Sequence, residues 1–363
     1  MALNVGVVGT SWWADAMYLP ALADHPAGRV TDVCGRDPER TRVFAGQWGI
    51  ERAHVDHRDL LERVDAVVIA STNDSHAPIA RDAIAAGVHL LLEKPVALDA
   101  ADAMEIAAAA DTAGLTTMVP FTYRWMPANR FVKQLIEDGA IGTPHHANLR
   151  YYAGFASEPG YSWRFDPEVA GSGIIGDLGS HWIHMARWWL GEATGISAHT
   201  GHHLPRGPRP DGTAFPAAED SALITLRFPT GALASLHVTS VARAGTSFDQ
   251  THHAEIHGSE GTIVTTTDWD ETQEVLVLRA GESGPPRPLP IPDEIWGAAR
   301  RDRVVDTYHD VFRGSEAMTR EWLTAAAAGR PVQPDLGEGA RVQQLVDAAV
   351  LSSADGGRMV DIG

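Results

Sequence analysis

The stretch GDLGSHWIHMARWWLG places Asp177, His181 and His184 at i, i+4 and i+7. On a helix that spacing puts all three on one face. An imidazole titrates near neutral pH, and a carboxylate one turn away orients it and stabilises its charged form. The set suits a general base that takes a proton from an alcohol. Two other readings stay open from these residues alone. The histidines could be satisfied, half-buried packing groups, or Asp177, His181 and His184 could ligate zinc. We expect no metal.

A second reactive group is Lys94, in LLLEKPVAL, directly before Pro95 at the end of an apolar run. At the carboxyl end of a buried strand, a lysine points into the crevice where open α/β sheets bind ligands. A partly desolvated lysine has a movable pKa and can hydrogen-bond a substrate hydroxyl. Glu93 beside it can hold the lysine or a cofactor. E-K-P by itself is too short to be specific.

The third group is GTSWWA, residues 9–14. A dinucleotide loop asks for G-x-G-x-x-G/A between a strand and a helix. The three positions hold Gly9, Ser11 and Ala14. Gly9 keeps the tight turn, and Ala14 is small enough for close helix–strand packing. Ser11 is the departure, although its hydroxyl could donate to phosphate. Trp12 and Trp13 open the helix, one expected to pack on the sheet and the other to wall the cofactor. About 20 residues on, an NAD site places an acid for the ribose hydroxyls. Here VCGRD puts Gly35 and then Arg36, and an arginine can hold a 2′-phosphate bidentately. NADP is therefore expected to be preferred, with NAD possible. Asp37 could still serve the ribose.

These groups need a scaffold. The first third alternates short apolar runs with helical patterns: strands at 4–9, 29–35, 65–70, 88–95 and 115–121, and helices at 13–25, 37–49, 75–87 and 99–114. Apolar runs buried on both faces and alternating with helices predict a doubly wound parallel sheet, a Rossmann-type α/β domain over 1–122. After a helical segment at 127–142 the pattern changes to alternating strands paired around Pro229–Gly231 and Gly258–Gly261. This predicts a second domain, 123–363, of α+β class with an open, mainly antiparallel sheet. Residues 200–217 read as a long Pro/Gly loop. Two helical patterns, 307–329 and 339–356, close the chain, and the C-terminal segment is expected to pack back on the first domain. The adjacent histidines 145–146, 202–203 and 252–253 are set aside, because neighbours in a strand point to opposite faces.

The 363 residues carry a net charge of −18, which disfavours nucleic acid as a partner. A single cysteine, Cys34, allows no internal disulfide and fits a reducing cytoplasm. No basic segment followed by an apolar run opens the chain, and no apolar stretch approaches the ~20 residues that span a bilayer. A cytoplasmic protein with no membrane partner is expected.

Taken together, these pieces resemble the Gfo/Idh/MocA oxidoreductase family, named for glucose–fructose oxidoreductase and inositol dehydrogenase. The likeness runs along the whole chain. Its most specific part is VVIASTNDSHAPIARDAIAAGVHLLLEKPVAL (67–98), followed by FTYRWMPANRFVKQLIEDGAIG (121–142), SWRFDPEVAGSGIIGDLGSHWIHMARWWLG (162–191) and the closing SSADGGRMVDIG. The resemblance implies roles by position. Lys94 would bond the reacting hydroxyl and the nicotinamide side, His181 would accept its proton, and Asp177 would orient His181 or the substrate. Ser71, Thr72, Asn73 and His76 would line the cofactor channel, with Glu93 by the nicotinamide ribose. Tyr123, Arg124, Trp163 and Arg164 would border nicotinamide and substrate in the cleft between domains. Ser11 departs from the middle glycine, and His184, expected among the substrate contacts, stands where members often carry Asp. The implied activity is NAD(P)-dependent hydride transfer to or from a hydroxyl carbon of a sugar, polyol or sugar derivative. The family also holds non-catalytic dinucleotide-binding regulators, which is the alternative. A homodimer or homotetramer is implied, and the free sheet face of the second domain is its expected interface.

Overall fold

Six short strands pair side by side in the first part of the chain. They are β1 (Leu3–Val8), β2 (Gly28–Cys34), β3 (Arg52–His54), β4 (Ala66–Ile69), β5 (His89–Leu92) and β6 (Thr117–Met118), in the order β3-β2-β1-β4-β5-β6. Every pairing is parallel. The structure is a computed structural model and describes residues 2–243, 245–314 and 317–363. The chain forms two compact units, Met1–Thr122 with His309–Gln343, and Tyr123–Tyr308 with Gln344–Gly363.

In the first unit the helices between strands are α1 (Leu19–Leu22), α2 (Pro38–Trp48), α3 (His57–Leu61), α4 (His76–Ala85) and α5 (Ala100–Thr112). Local chemistry sets their ends. Asp37 caps α2 by accepting from Arg40 N, Pro38 occupies its first turn, and Gly49 ends it in the left-handed region. Asp99 caps α5 in the same way. The expected first helix is shorter than its pattern. Residues Ala14–Tyr18 form a π-helical turn that runs into α1. The expected strand at 115–121 shrinks to two residues. Strand β3 and helix α3 carry no strong periodicity and are found only in the structure.

The C-terminal residues of this unit pack on the sheet at β2 and around β6. Helix α11 (Met318–Ala327) sets Leu323 against Gly28, and the fully buried Trp322 donates its indole N–H to Thr116 O at 3.4 Å. Val119 N donates to Pro334 O at 2.9 Å, and Leu336 N to Thr117 Oγ1 at 3.1 Å. The pattern expected as one helix over 307–329 is two, α10 (Val304–Arg313) and α11; residues 315–316 between them lie outside the described ones.

The second unit is built on nine strands: β7 (Pro144–Ala153), β8 (Gly195–Gly201), β9 (Ser221–Arg227), β10 (Leu233–Thr239), β11 (Gln250–Gly258), β12 (Gly261–Asp268), β13 (Glu274–Arg279), β14 (Arg287–Pro288) and β15 (Val360–Asp361). Their order is β14-β13-β12-β11-β7-β10-β9-β8-β15. Every pairing in this sheet is antiparallel except β7 with β10. Alternation decides the faces. Ala147, Leu149, Tyr151 and Ala153 of β7 are buried, while His146, Asn148, Arg150 and Tyr152 lie on the other face. His252 is buried and His253 half-exposed, as adjacent strand residues must be. Helices α6 (Pro127–Glu137), α7 (Pro167–Ala170), α8 (Ser180–Leu190) and α9 (Asp293–Trp296), with the end of α12 (Leu336–Ala354), complete the unit. Among the described residues, no helix is long and apolar enough to cross a membrane. Cys34 is buried in β2, and burial pushes its thiol up to about 11, so it stays protonated and inert at neutral pH.

Candidate active site

At the end of β1 the chain turns on Gly9, with φ +113°. A Cβ there would stand 2.4 Å from Ala70 O, so only glycine lets the loop lie against the end of β4. Ser11 Oγ donates to Ala70 O at 3.2 Å and accepts from Ala14 N at 3.4 Å. The hydroxyl expected to meet phosphate is thus engaged within the loop. Trp13 packs against Phe312 of α10 (centroids 5.9 Å apart) rather than standing free, whereas Trp12 is 53% exposed. Beside the loop lies a pocket of about 620 Å³, bordered by Thr10, Ser11, Trp12, Asp37, Arg40 and Phe44. Arg36, next to the lining residue Asp37 in the chain, is exposed, and Arg40 Nη2 donates to Thr10 O at 2.6 Å. A glycine turn at a strand end, a roomy pocket next to it and two arginines nearby fit the adenosine and phosphate portion of a dinucleotide.

The carboxyl end of β5 carries Glu93 and Lys94, both half-buried. Glu93 Oε2 accepts from Lys94 N at 3.1 Å, and its Oε1 accepts from the hydroxyl of the fully buried Tyr18. His76 is also fully buried. Its Nδ1 donates to Pro95 O at 2.7 Å, and its Nε2 lies 3.3 Å from Ser71 O. Burial holds this imidazole below its usual range, so it is neutral, and its single proton goes to the shorter contact. His76 therefore ties the Lys94–Pro95 turn to the loop after β4. In that loop Ser75 Oγ donates to Thr72 O at 2.7 Å and lies 2.7 Å from Ser71 Oγ, which shapes the half-buried Ser71, Thr72 and Asn73.

In the second unit, residues Ile175–Gly179 form a π-helical turn leading into α8. The expected i, i+4 step from Asp177 to His181 crosses this change of helix type. Asp177 Oδ2 meets Arg164 Nε at 3.2 Å. The Arg164 guanidinium also lies 4.7 Å from the Trp163 ring centre and 5.8 Å from that of Phe155, which is half-exposed. His181 is 6% exposed, and His184 is wholly buried. Tyr123 is buried, with its ring edge-on to His181 at 4.9 Å and its hydroxyl 2.7 Å from that of Tyr151. Arg124 stacks on Trp188 at 5.1 Å. Among the described residues no three His, Cys, Asp or Glu side chains converge as metal ligands.

Within the first unit, then, Gly9 and Ser11 meet the strand end at Ala70, while His76, Glu93 and Lys94 form one braced corner. Within the second, Arg164 joins Asp177, and Tyr123 joins His181. Sequence reasoning missed Arg40, Tyr18 and Glu219. Arg40 lies one helical turn beyond Arg36, and that spacing was its only signal. Tyr18 lies 75 positions from its partner, with no local signal. Glu219 is buried, and its Oε1 accepts from Ile175 N at 3.0 Å, capping the turn that carries Asp177. Burial raises its pKa against the pull of the backbone N–H groups around it.

Comparison with known proteins agrees with this fold. Residues 3–121 match the model of an oxidoreductase family with an NAD-binding Rossmann fold, and residues 129–264 match that of the GFO/IDH/MocA C-terminal domain. The chain is 29% identical to a levoglucosan dehydrogenase of Pseudarthrobacter phenanthrenivorans, across 99% of this chain and 98% of that one. It is 29% identical to a D-apiose dehydrogenase of Paraburkholderia graminis, across 93% and 84%. A solved levoglucosan dehydrogenase in complex with NADH and levoglucosan superposes over the full length of both chains, with a TM-score of 0.86 at 28% identity. The chain belongs to the Gfo/Idh/MocA family of NAD-binding oxidoreductases.

Proposed function

We propose that the chain is a dehydrogenase or reductase of a cyclic sugar, polyol or sugar derivative, and that it takes NADP in preference to NAD. The observation that carries the substrate class is the full-length likeness to dehydrogenases of levoglucosan and D-apiose. The exposed Arg36 and its neighbour Arg40 support the cofactor preference, since guanidinium groups hold a 2′-phosphate where an acid would repel it.

A bound dinucleotide supplies the hydride acceptor or donor at its nicotinamide. Lys94 donates a hydrogen bond to the reacting oxygen, with Glu93 fixing its backbone and Tyr18 fixing Glu93. His181 takes the hydroxyl proton during oxidation and returns it during reduction. Asp177 orients this step while Arg164 holds its carboxylate. Ser71, Thr72 and Asn73 line the cofactor, and Trp12 walls its adenosine side. Arg124, Trp163 and Phe155 border the sugar. The wholly buried His184 acts as a packing group of α8. The exposed Leu223 and Leu233 on the open sheet face support a homodimer or homotetramer through that face. The inert lone thiol supports a cytoplasmic setting.

The test is a fluorescence titration with NADP and NAD, followed by oxidation assays on levoglucosan, D-apiose and inositol. Lys94→Ala and His181→Ala should each abolish turnover with dinucleotide binding retained by the His181 variant. Tight dinucleotide binding with no turnover on a broad sugar and polyol panel would favour the regulatory alternative.

A further inference from the structure

The second unit holds a hydroxyl chain that the mechanism above does not use. Tyr151 Oη donates to Gln250 Oε1 at 2.7 Å. A phenol has one proton to give, so the 2.7 Å contact between Tyr151 and Tyr123 has Tyr123 as donor. The chain therefore runs Tyr123 to Tyr151 to Gln250. Tyr123 sets its ring against His181 (centroids 4.9 Å, planes at 69°). The far end rests on two adjacent central strands, since Tyr151 lies on β7 and Gln250 on β11. Gln250 is further held by Thr246, whose Oγ1 accepts from Gln250 N at 3.0 Å. Trp182 and His252 pack edge-on or tilted against both tyrosines and close the box.

We propose that Tyr151, anchored by Gln250, is a positioning residue for the acid–base step: it fixes the Tyr123 ring, which in turn fixes the plane of the His181 imidazole. This rests on the reading of His181 as the proton acceptor. The chain positions and does not conduct. Burial, first of all, pushes both phenols above their ordinary range, so neither gives up its proton near neutral pH. Burial also pulls His252 down to about 3, so it stays neutral. No member of the box takes the proton from His181. What the box supplies is a fixed wall, and an imidazole held in one plane is in the productive geometry more of the time.

The experiment measures kcat, KM and dinucleotide Kd for Tyr151→Phe, Gln250→Leu, the Tyr123→Phe/Tyr151→Phe pair and His181→Gln, with levoglucosan, D-apiose or inositol as substrate. Tyr151→Phe keeps the ring and removes the tether. It is expected to lower kcat about tenfold, with KM and Kd changed less than about threefold. Gln250→Leu breaks the tether from the other end without touching an aromatic ring and should move kcat the same way. The double variant should be no worse than Tyr151→Phe, because both act through one linkage. A folded Tyr151→Phe and Gln250→Leu with wild-type kcat, alongside a dead His181→Gln, would overturn the positioning role alone. An active His181→Gln would instead remove the base assignment on which the proposal stands.

Discussion

Replacing Gly9 by alanine tests whether the nucleotide turn is a packed device or a tolerant loop. The residue sits at φ +113°, beyond the left-handed helical well that non-glycine residues sometimes visit. Holding a side chain there costs about 1–3 kcal/mol. The new Cβ would also stand 2.4 Å from Ala70 O and 2.8 Å from Ala70 C. Neither side can retreat. Gly9 N donates to Cys34 O and Ala70 N to Val8 O, each at 2.8 Å, and β1 and β4 are in register up to Val8 and Ile69. Relieving the clash by moving paired strand ends adds about 1–3 kcal/mol. The total, about 2–6 kcal/mol, is a large share of the stability of a domain. It corresponds to a fall in Tm of roughly 4–24 °C for a unit of this size. Gly49→Ala is the control. It has φ +64°, and nothing lies within 4 Å of the added carbon, so only the conformational cost of about 1 kcal/mol remains. Differential scanning calorimetry on both variants, with a dinucleotide titration on each, gives the comparison. Equal losses for Gly9→Ala and Gly49→Ala, with cofactor binding intact in both, would refute the packed-turn reasoning.

Arg36→Ala should weaken NADP about tenfold while leaving NAD within about twofold, read as a ratio of Kd values; parallel losses would show that Arg36 does not see the 2′-phosphate. Dinucleotide should quench the emission of Trp12, and the change should disappear in Trp12→Phe but persist in Trp48→Phe. Asp32 is wholly buried among Arg52, His54 and Thr31. Burial raises its pKa, but these partners outweigh it and hold the carboxyl below its ordinary 3.8. Its stabilisation is therefore full above about pH 4 and is lost as pH falls through the lowered value. Asp32→Asn should cost about 2 kcal/mol at pH 7 by urea denaturation, and the gap to wild type should narrow below pH 4.

Much of the first unit was legible because its signals are local. Asp37, Pro38 and Gly49 bound α2 within a dozen residues, and apolar runs mark β1, β2, β4 and β5 directly. Gly9 and Lys94 were legible for the same reason, each closing a strand. The π-helical turns were not, since Ala14–Tyr18 and Ile175–Gly179 keep an ordinary helical pattern and differ only in hydrogen bonding. Nor was the parallel pairing of β7 with β10, because alternation sets faces but not partners. Side-chain partnerships across long separations, such as Tyr18 with Glu93 and Tyr151 with Gln250, leave no mark on spacing at all.

The β6 side of the first sheet is finished by residues that follow it by roughly 200 positions, among them Trp322 and Leu336. On a ribosome adding about 5–20 residues per second, the amino-terminal sheet would wait roughly 10–40 seconds, its last edge bare, before that covering emerges. During synthesis the exposed flank around Thr117 and Met118 is the vulnerable surface. A holdase or a slow codon stretch acting in that interval would influence yield more than any adjustment near Lys94.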